Sequence, residues 1–213
     1  MSIIHQIMAT GPLEVNCQII GSKEQGEAIV VDPGGDGDRI LARLEKLGLK
    51  LTHIINTHGH FDHIGGVAEL KAATGCAFWI HKKDLPLVES AAKHASSWGL
   101  PFGPVPKVDK FIEGGEKIAV AGIDLEVIHT PGHTQGGVCL RWNDQIAVGD
   151  TLFAGSVGRT DLPGGDTNQL IRSIKEVLLP LGDHLRCHPG HGPSTTLGRE
   201  RLSNPFLGGG GLF

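Results

Sequence analysis

Apolar residues fall into short runs and helix-period stripes that alternate along most of the chain. Val15 to Ile20 and Ala28 to Val31 are runs of strand length, and the second stops at the turn signature Asp32-Pro33-Gly34-Gly35. From Asp38 to Leu47, the residues Ile40, Leu41, Leu44 and Leu47 recur on one helical face, and Gly48 stands where a helix would end. Thr52 to Asn56 reads as a short buried strand. Ile64, Val67 and Leu70 then mark a helix ending near Gly75, so residues 57–63 occupy a strand-to-helix loop. Ile118 to Val120 and Ile123 to Ile128 flank an Ala-Gly turn, and Val138 to Trp142 and Ile146 to Val148 flank Asn143-Asp144, which predicts two hairpins. Asp166 and Gln169 have capping-box spacing ahead of Leu170, Ile171, Ile174, Val177 and Leu178, which share one face of a late helix.

Periodicity alone specifies α/β or α+β. Strands and helices in both halves fit two sheets packed face to face with helices outside, a four-layer αββα sandwich. Its length of 213 residues suits one domain spanning 1–213, with no separate C-terminal helical domain expected. Trp98-Gly99-Leu100-Pro101-Phe102-Gly103-Pro104-Val105-Pro106 fits neither period. It is either a substrate-facing loop, with Trp98 and Phe102 bordering a pocket, or an irregular connector packed on the core.

Charge narrows the partners. A formal net charge of -4, from 19 basic and 23 acidic residues, gives no footprint for gripping nucleic acid or an anionic membrane. The N-terminal stretch lacks the basic start and apolar run of a secretory signal, and no stretch has the length of a membrane span, so a cytoplasmic location is expected. Cys17, Cys76, Cys139 and Cys187 form no C-x-x-C pair and read as reduced core residues. What stands out is 12 His in a chain with 32 Gly and no Tyr.

Four of those ligand-type side chains, His58, His60, Asp62 and His63, fall within six residues. Alternate residues of an extended loop point the same way, so His58 and His60 can share one ion while Asp62 and His63 turn toward another. His133, Asp150 and His191 each follow a strand signal beside glycine, where the backbone can turn to project one side chain. An Asp after Ile146-Ala147-Val148-Gly149 would lie at a buried strand end, where an unpaired carboxylate is very costly and bridging two cations would satisfy it. His5, His53, His81, His94, His129, His184 and His188 lack such a context and read as structural.

The segment Thr57-His58-Gly59-His60-Phe61-Asp62-His63, with Gly65-Gly66 after it, resembles the signature of the metallo-β-lactamase superfamily, and His133, Asp150 and His191 match its remaining ligand motifs in order. The resemblance covers nearly the whole chain and implies that family's αββα fold. It implies one ion at His58, His60 and His133, a second at Asp62, His63 and His191, and Asp150 bridging. Asp at 150 and His at 63 are similar to the glyoxalase II branch, the hydroxyacylglutathione hydrolases, and unlike the antibiotic-degrading lactamases. Val31-Asp32-Pro33-Gly34 also matches that branch, where the Asp orients a metal-bound histidine; the plain alternative for Asp32 is a turn residue. Gly155 to Gly165 looks like the short bacterial glyoxalase II-like proteins, although its Gly-Arg-Thr-Asp also occurs in persulfide dioxygenases of the same fold. Within it, Arg159 can fork onto a substrate carboxylate or pair with Asp161.

The resemblance implies two divalent ions, zinc being expected and iron or manganese compatible with the same donors. It implies hydrolysis of a small-molecule thioester such as S-lactoylglutathione or another 2-hydroxyacyl thioester by a metal-bridging hydroxide, with Asp62 and Asp150 also handling the proton. The competing expectation is a persulfide dioxygenase with one iron at His58, His133 and Asp150.

Overall fold

The computed structural model describes residues 3–208. The chain opens with β1 (Ile3–Thr10), β2 (Val15–Ser22) and β3 (Glu27–Val31), then α1 (Gly37–Leu47), β4 (Lys50–Ile55), α2 (Phe61–Ile64), α3 (Val67–Thr74), β5 (Ala77–His81), α4 (Leu85–Ser97) and β6 (Lys110–Ile112). These six strands pair in sequence order, antiparallel from β1 to β3 and parallel from β3 to β6. The second half supplies β7 (Lys117–Val120), β8 (Ile123–His129), β9 (Val138–Trp142), β10 (Gln145–Gly149), the small pair β11 (Leu152–Phe153) and β12 (Ser156–Val157), α5 (Thr167–Arg172), β13 (Arg186–Pro189), β14 (Thr195–Thr196) and α6 (Leu197–Ser203). Its large sheet runs β14-β13-β10-β9-β8-β7, with only β10 and β13 parallel.

Strands β2, β3, β9 and β10 read as apolar runs because both their faces are covered, whereas β7 and the start of β8 alternate between core and solvent. In β3, Ala28 and Val30 face α1, α3 and α4 through Ile40, Leu44, Leu70 and Val88, whereas Ile29 and Val31 face the opposite sheet through Leu125, Val127 and Leu140. The outer face of the second sheet, with Cys139, Ile146 and Val148, packs on Leu170, Ile174, Leu178 and Leu197. Three apolar layers therefore separate four layers of structure, the expected αββα sandwich. No helix of the described residues is long and apolar enough to cross a membrane.

Two elements differ from expectation. The helix predicted over Ile64 to Leu70 is broken into α2 and α3 at Gly65-Gly66. The Gly66 N–H donates to the Pro33 carbonyl (2.8 Å), and a Cβ on Gly65 would land on the Gly34 carbonyl, so the chain passes here at backbone distance from the turn after β3. The late helix begins as predicted, with the Asp166 carboxylate accepting from the Gln169 N–H (2.8 Å), but widens to a π-helical turn over Ser173–Leu178.

Candidate metal centre

The ends of five strands converge on one edge of the sandwich. Asp32 follows β3, the segment 57–63 follows β4, His133 follows β8, Asp150 follows β10 and His191 follows β13. His58, His60, His63 and His133 are buried, Asp62 and Asp150 nearly so, and His191 is about one-third exposed. A Cβ on Gly190 would collide with Asp150 Oδ1 and His63 Cε1, so only glycine lets the His191 loop come this close.

The donors form two clusters. The donor atoms of His58, His60 and His133 all lie within 4.8 Å of one another, and so do those of Asp62, His63 and His191. Asp150 stands between them: Oδ1 is 3.5 Å from His63 Nε2, and Oδ2 is 3.7 Å from His133 Nε2 and 3.9 Å from His191 Nε2. The resemblance-implied donors are thus brought together in the grouping it implied.

Hydrogen bonds on the far side of the rings set their tautomers. His63 donates from Nδ1 to Asp32 Oδ2 (3.0 Å), which also accepts from the Thr57 hydroxyl (2.6 Å), while Asp32 Oδ1 accepts from the Thr57 N–H (2.8 Å). The Thr57 hydroxyl, having given its proton to Asp32, accepts from His58 Nδ1 (3.1 Å). Asp32 therefore aims His63 directly and His58 through Thr57, leaving Nε2 of both rings pointing into the site. It is also a turn residue, with φ of 51°, so both readings of it hold. His133 donates from Nδ1 to the Arg159 carbonyl (2.7 Å).

Among the described residues, the buried side-chain atoms without a hydrogen-bond partner are His58 Nε2, His63 Nε2, Asp150 Oδ1 and Asn56 Oδ1. Three of these four converge here, where an uncompensated polar atom is expensive and a cation would satisfy all three. Burial, reinforced by neighbouring imidazoles, holds His58 well below the ordinary histidine value and His60 at about 3, so both offer lone pairs at neutral pH. For His63 burial pulls downward too, but the carboxylates of Asp150 and Asp62 outweigh it and raise the ring. Burial likewise opposes the charge of Asp150, and His63 overcomes it, so that carboxylate is ionised. The neutral imidazoles of His58 and His60 together with the anionic oxygens of Asp62 and Asp150 fit zinc, iron or manganese.

Three substrate-side expectations divide. Trp98 is half-exposed and lines a cavity with His60, Phe61 and Leu162. Phe102 does not border it. Like Leu100 and Val108, it packs against the apolar layer between the first sheet and its helices, as the connector reading has it. The Arg159 guanidinium forks onto Asp161 (2.8 and 2.7 Å) in an exposed ion pair, the second of its two expected partners, and its main-chain carbonyl accepts from His133.

Asp84 was not anticipated. It is fully buried at the start of α4, where Oδ2 accepts from the Gly59 N–H (3.0 Å) and the Thr134 hydroxyl (2.8 Å), and Oδ1 accepts from the Gly136 N–H (2.6 Å). One carboxylate thus ties the His58–His60 loop to the His133 loop. Asn16 does the same for the His191 loop, donating from Nδ2 to the carbonyls of Pro189 (3.0 Å) and Gly192 (2.8 Å). A single Asp or Asn carries no signal of this kind in sequence, since the partners lie as far as 176 positions away.

An αββα sandwich that gathers two clusters of histidine and aspartate donors at one edge is the architecture of a metallo-hydrolase superfamily. The chain belongs to the metallo-β-lactamase superfamily, whose family model matches residues 10–191. It is 40% identical over 206 residues to the hydroxyacylglutathione hydrolase GloC of Haemophilus influenzae, covering 95% of this chain and 97% of that one. Among solved structures, TTHA1623 in a di-iron-bound form is 40% identical with a TM-score of 0.88, covering 95% of this chain and 100% of that one. BLEG-1, a B3 metallo-β-lactamase, is 33% identical with a TM-score of 0.90, covering 96% and 99%.

Proposed function

We propose that the protein hydrolyses thioesters, with S-lactoylglutathione and related 2-hydroxyacyl thioesters as its reference substrates. The observation that carries this reading is the pair of complete donor clusters sharing Asp150. His58, His60 and His133 would hold one divalent ion and Asp62, His63 and His191 the other, zinc being the first candidate and iron or manganese the alternatives. Such ions, when bound, supply a hydroxide at neutral pH and polarise the carbonyl under attack. No serine or cysteine nucleophile is then needed, which agrees with four cysteines buried in the core, all of them with thiols pushed up by burial.

The chain's own residues do the positioning and the proton handling. Asp32 and Thr57 fix the tautomers of His63 and His58, and the Arg159 carbonyl fixes His133. In the reaction a C–O bond to water forms, the C–S bond breaks, and the proton left by water passes to the departing sulfur. Asp62 Oδ2 and the Asp150 carboxylate border both donor clusters and would carry that proton. The name of the Haemophilus relative supports a thioester substrate, whereas that of BLEG-1 would point to a lactam.

The test is metal content and turnover of the metal-replete chain. It should approach two ions per chain and hydrolyse S-lactoylglutathione, with slower or no opening of a chromogenic cephalosporin and no rapid oxygen uptake with glutathione persulfide. One ion per chain despite added metal, with rapid oxygen uptake and no thioester hydrolysis, would instead support the mononuclear iron dioxygenase.

A further inference from the structure

From the donor clusters a groove leads away along α4. Its first part, about 250 Å³, is walled by the apolar Phe61, Leu87, Trp98, Leu162 and Pro163, with His60, His94 and Ser97 as its polar members. The second, about 350 Å³, shares Leu87, His94 and Pro163 with it and continues past Pro86 and Ser90 to Lys83. His60 belongs both to this wall and to the first donor cluster, so whatever occupies the groove starts at the reacting centre.

The wall has little charge to offer. No Lys, Arg, Asp or Glu lines the first part. The nearest guanidinium, that of Arg159, lies 6.0 Å from the Trp98 ring and is engaged by Asp161. In the second part Asp84 is fully buried and saturated with donors, which leaves Lys83 at the far end. Glutathione brings two carboxylates and an ammonium, and the first part meets them with only the His60 and His94 rings and a Ser97 hydroxyl that already donates to the His94 carbonyl. An alkyl or aryl chain, by contrast, gains from every wall atom it covers.

Resting on the thioester reading and narrowing it, we propose that this groove receives an uncharged apolar arm of the substrate, so that thioesters bearing such an arm are preferred over S-lactoylglutathione. The arm is either the acyl chain or the thiol chain, since both leave the same carbonyl. Each methylene buried is worth about a fourfold gain in kcat/KM.

Two substrate series distinguish the arms on the metal-replete full chain: acetyl, butanoyl and hexanoyl esters of 2-mercaptoethanol, and acetyl esters of ethane-, butane- and hexanethiol. In one series kcat/KM should rise at least about twentyfold from the shortest to the longest member and exceed that for S-lactoylglutathione. Ser97→Trp, which projects a ring into the first part from the exposed end of α4, should flatten that rise to less than about threefold, and Leu162→Asp should do the same. The unhydrolysable hexyl 2-hydroxyethyl sulfide should bind by calorimetry and shift the Trp98 emission, the shift being absent in Trp98→Phe and the binding weakened in Ser97→Trp. Flat series in both arms, or S-lactoylglutathione turned over faster than every apolar ester, overturn the inference while the thioesterase reading stands. If no thioester is hydrolysed, that reading falls and the sulfide decides the groove: binding that Ser97→Trp weakens upholds an apolar ligand, and no binding overturns it.

Discussion

Asp84 offers the sharpest perturbation, because one buried carboxylate satisfies three donors on two ligand-bearing loops. Asp84→Ala strands the Gly59 and Gly136 N–H groups and the Thr134 hydroxyl, each costing about 1–3 kcal/mol when buried without a partner. Allowing for relaxation and water entry, the expected loss of stability is about 3–5 kcal/mol. Asp84→Asn keeps one acceptor oxygen but turns an NH2 toward at least one donor, so its cost is about 1–3 kcal/mol. The informative consequence is at the metal. The Gly59 bond lies between His58 and His60, and the Thr134 and Gly136 bonds directly follow His133, so the first donor cluster loses its alignment while Asp62, His63 and His191 keep theirs. Loss of such support commonly costs about tenfold to a hundredfold in affinity. Chelator-competition titrations of zinc, run in a His191→Ala background so that only the first cluster is complete, read this directly, with thermal melts measuring stability. If Asp84→Asn lowers the melting temperature but leaves that affinity within about twofold, Asp84 merely braces the fold and the positioning argument is wrong.

Three further outcomes follow from the same geometry. His191→Ala removes one donor of the second cluster, and thioester hydrolysis should fall at least about tenfold to a hundredfold with an unchanged circular dichroism spectrum; undiminished hydrolysis would show that the second cluster takes no part. Arg159→Ala should leave kcat/KM within about threefold, because Asp161 already occupies the guanidinium and the carbonyl on His133 survives; a tenfold rise in KM would mean that the ion pair opens for substrate. His188, outside the metal centre, is held at about 3 by burial and the neighbouring His5, against about 6.5 in an unfolded chain. The unfolded state therefore takes up the proton first, so this ring's contribution to stability is complete above pH 6.5 and is lost as pH falls toward 3. Denaturant midpoints of His188→Gln between pH 7 and pH 5 should fall less steeply than those of the parent, and parallel slopes would remove the ring from the account.

The sequence revealed these features unevenly, for physical reasons. Amphipathic α1 was visible because Ile40 and Leu44 are large and its outer face is polar, and the β7–β8 and β9–β10 hairpins because Gly122 and Asn143 readily take positive φ at their turns. Helix α4 was not, since the residues it buries are Val88, Ala91 and Ala95, too small and too sparse to make a stripe, and Pro86 near its start reads as a breaker. The donors were legible because histidine and aspartate are costly to bury and seldom crowd together without a ligand. Their orienting partners were harder. Thr57 looks like any β-strand exit, and the value of Asp84 exists only once loops some 25 to 52 residues away have folded against it. For Phe102 and Arg159 the sequence left two readings open, since an aromatic ring or a cation in an irregular segment does not reveal which neighbour it will meet.

The metal centre and the packing of the two sheets are one problem. Asp32, His58, His60, Asp62 and His63 come from the first sheet's edge, and His133, Asp150 and His191 from the second's. The layers are also stitched at this edge by the Val138 N–H on the Thr57 carbonyl (2.8 Å) and the Asn16 N–H on the Gly190 carbonyl (2.7 Å). Neither cluster can be assembled by one sheet alone: His133 completes the first and His191 the second. Ion affinity therefore includes the free energy of holding the sheets in register, and by mass action bound metal must stabilise the sandwich in return. A core substitution far from any donor, such as Leu140→Ala in the layer between the sheets, should weaken both. Metal titrations and melts of that variant must then move together, and a melt that drops while ion affinity holds would show that the donor edge stays closed when the centre of the sandwich loosens.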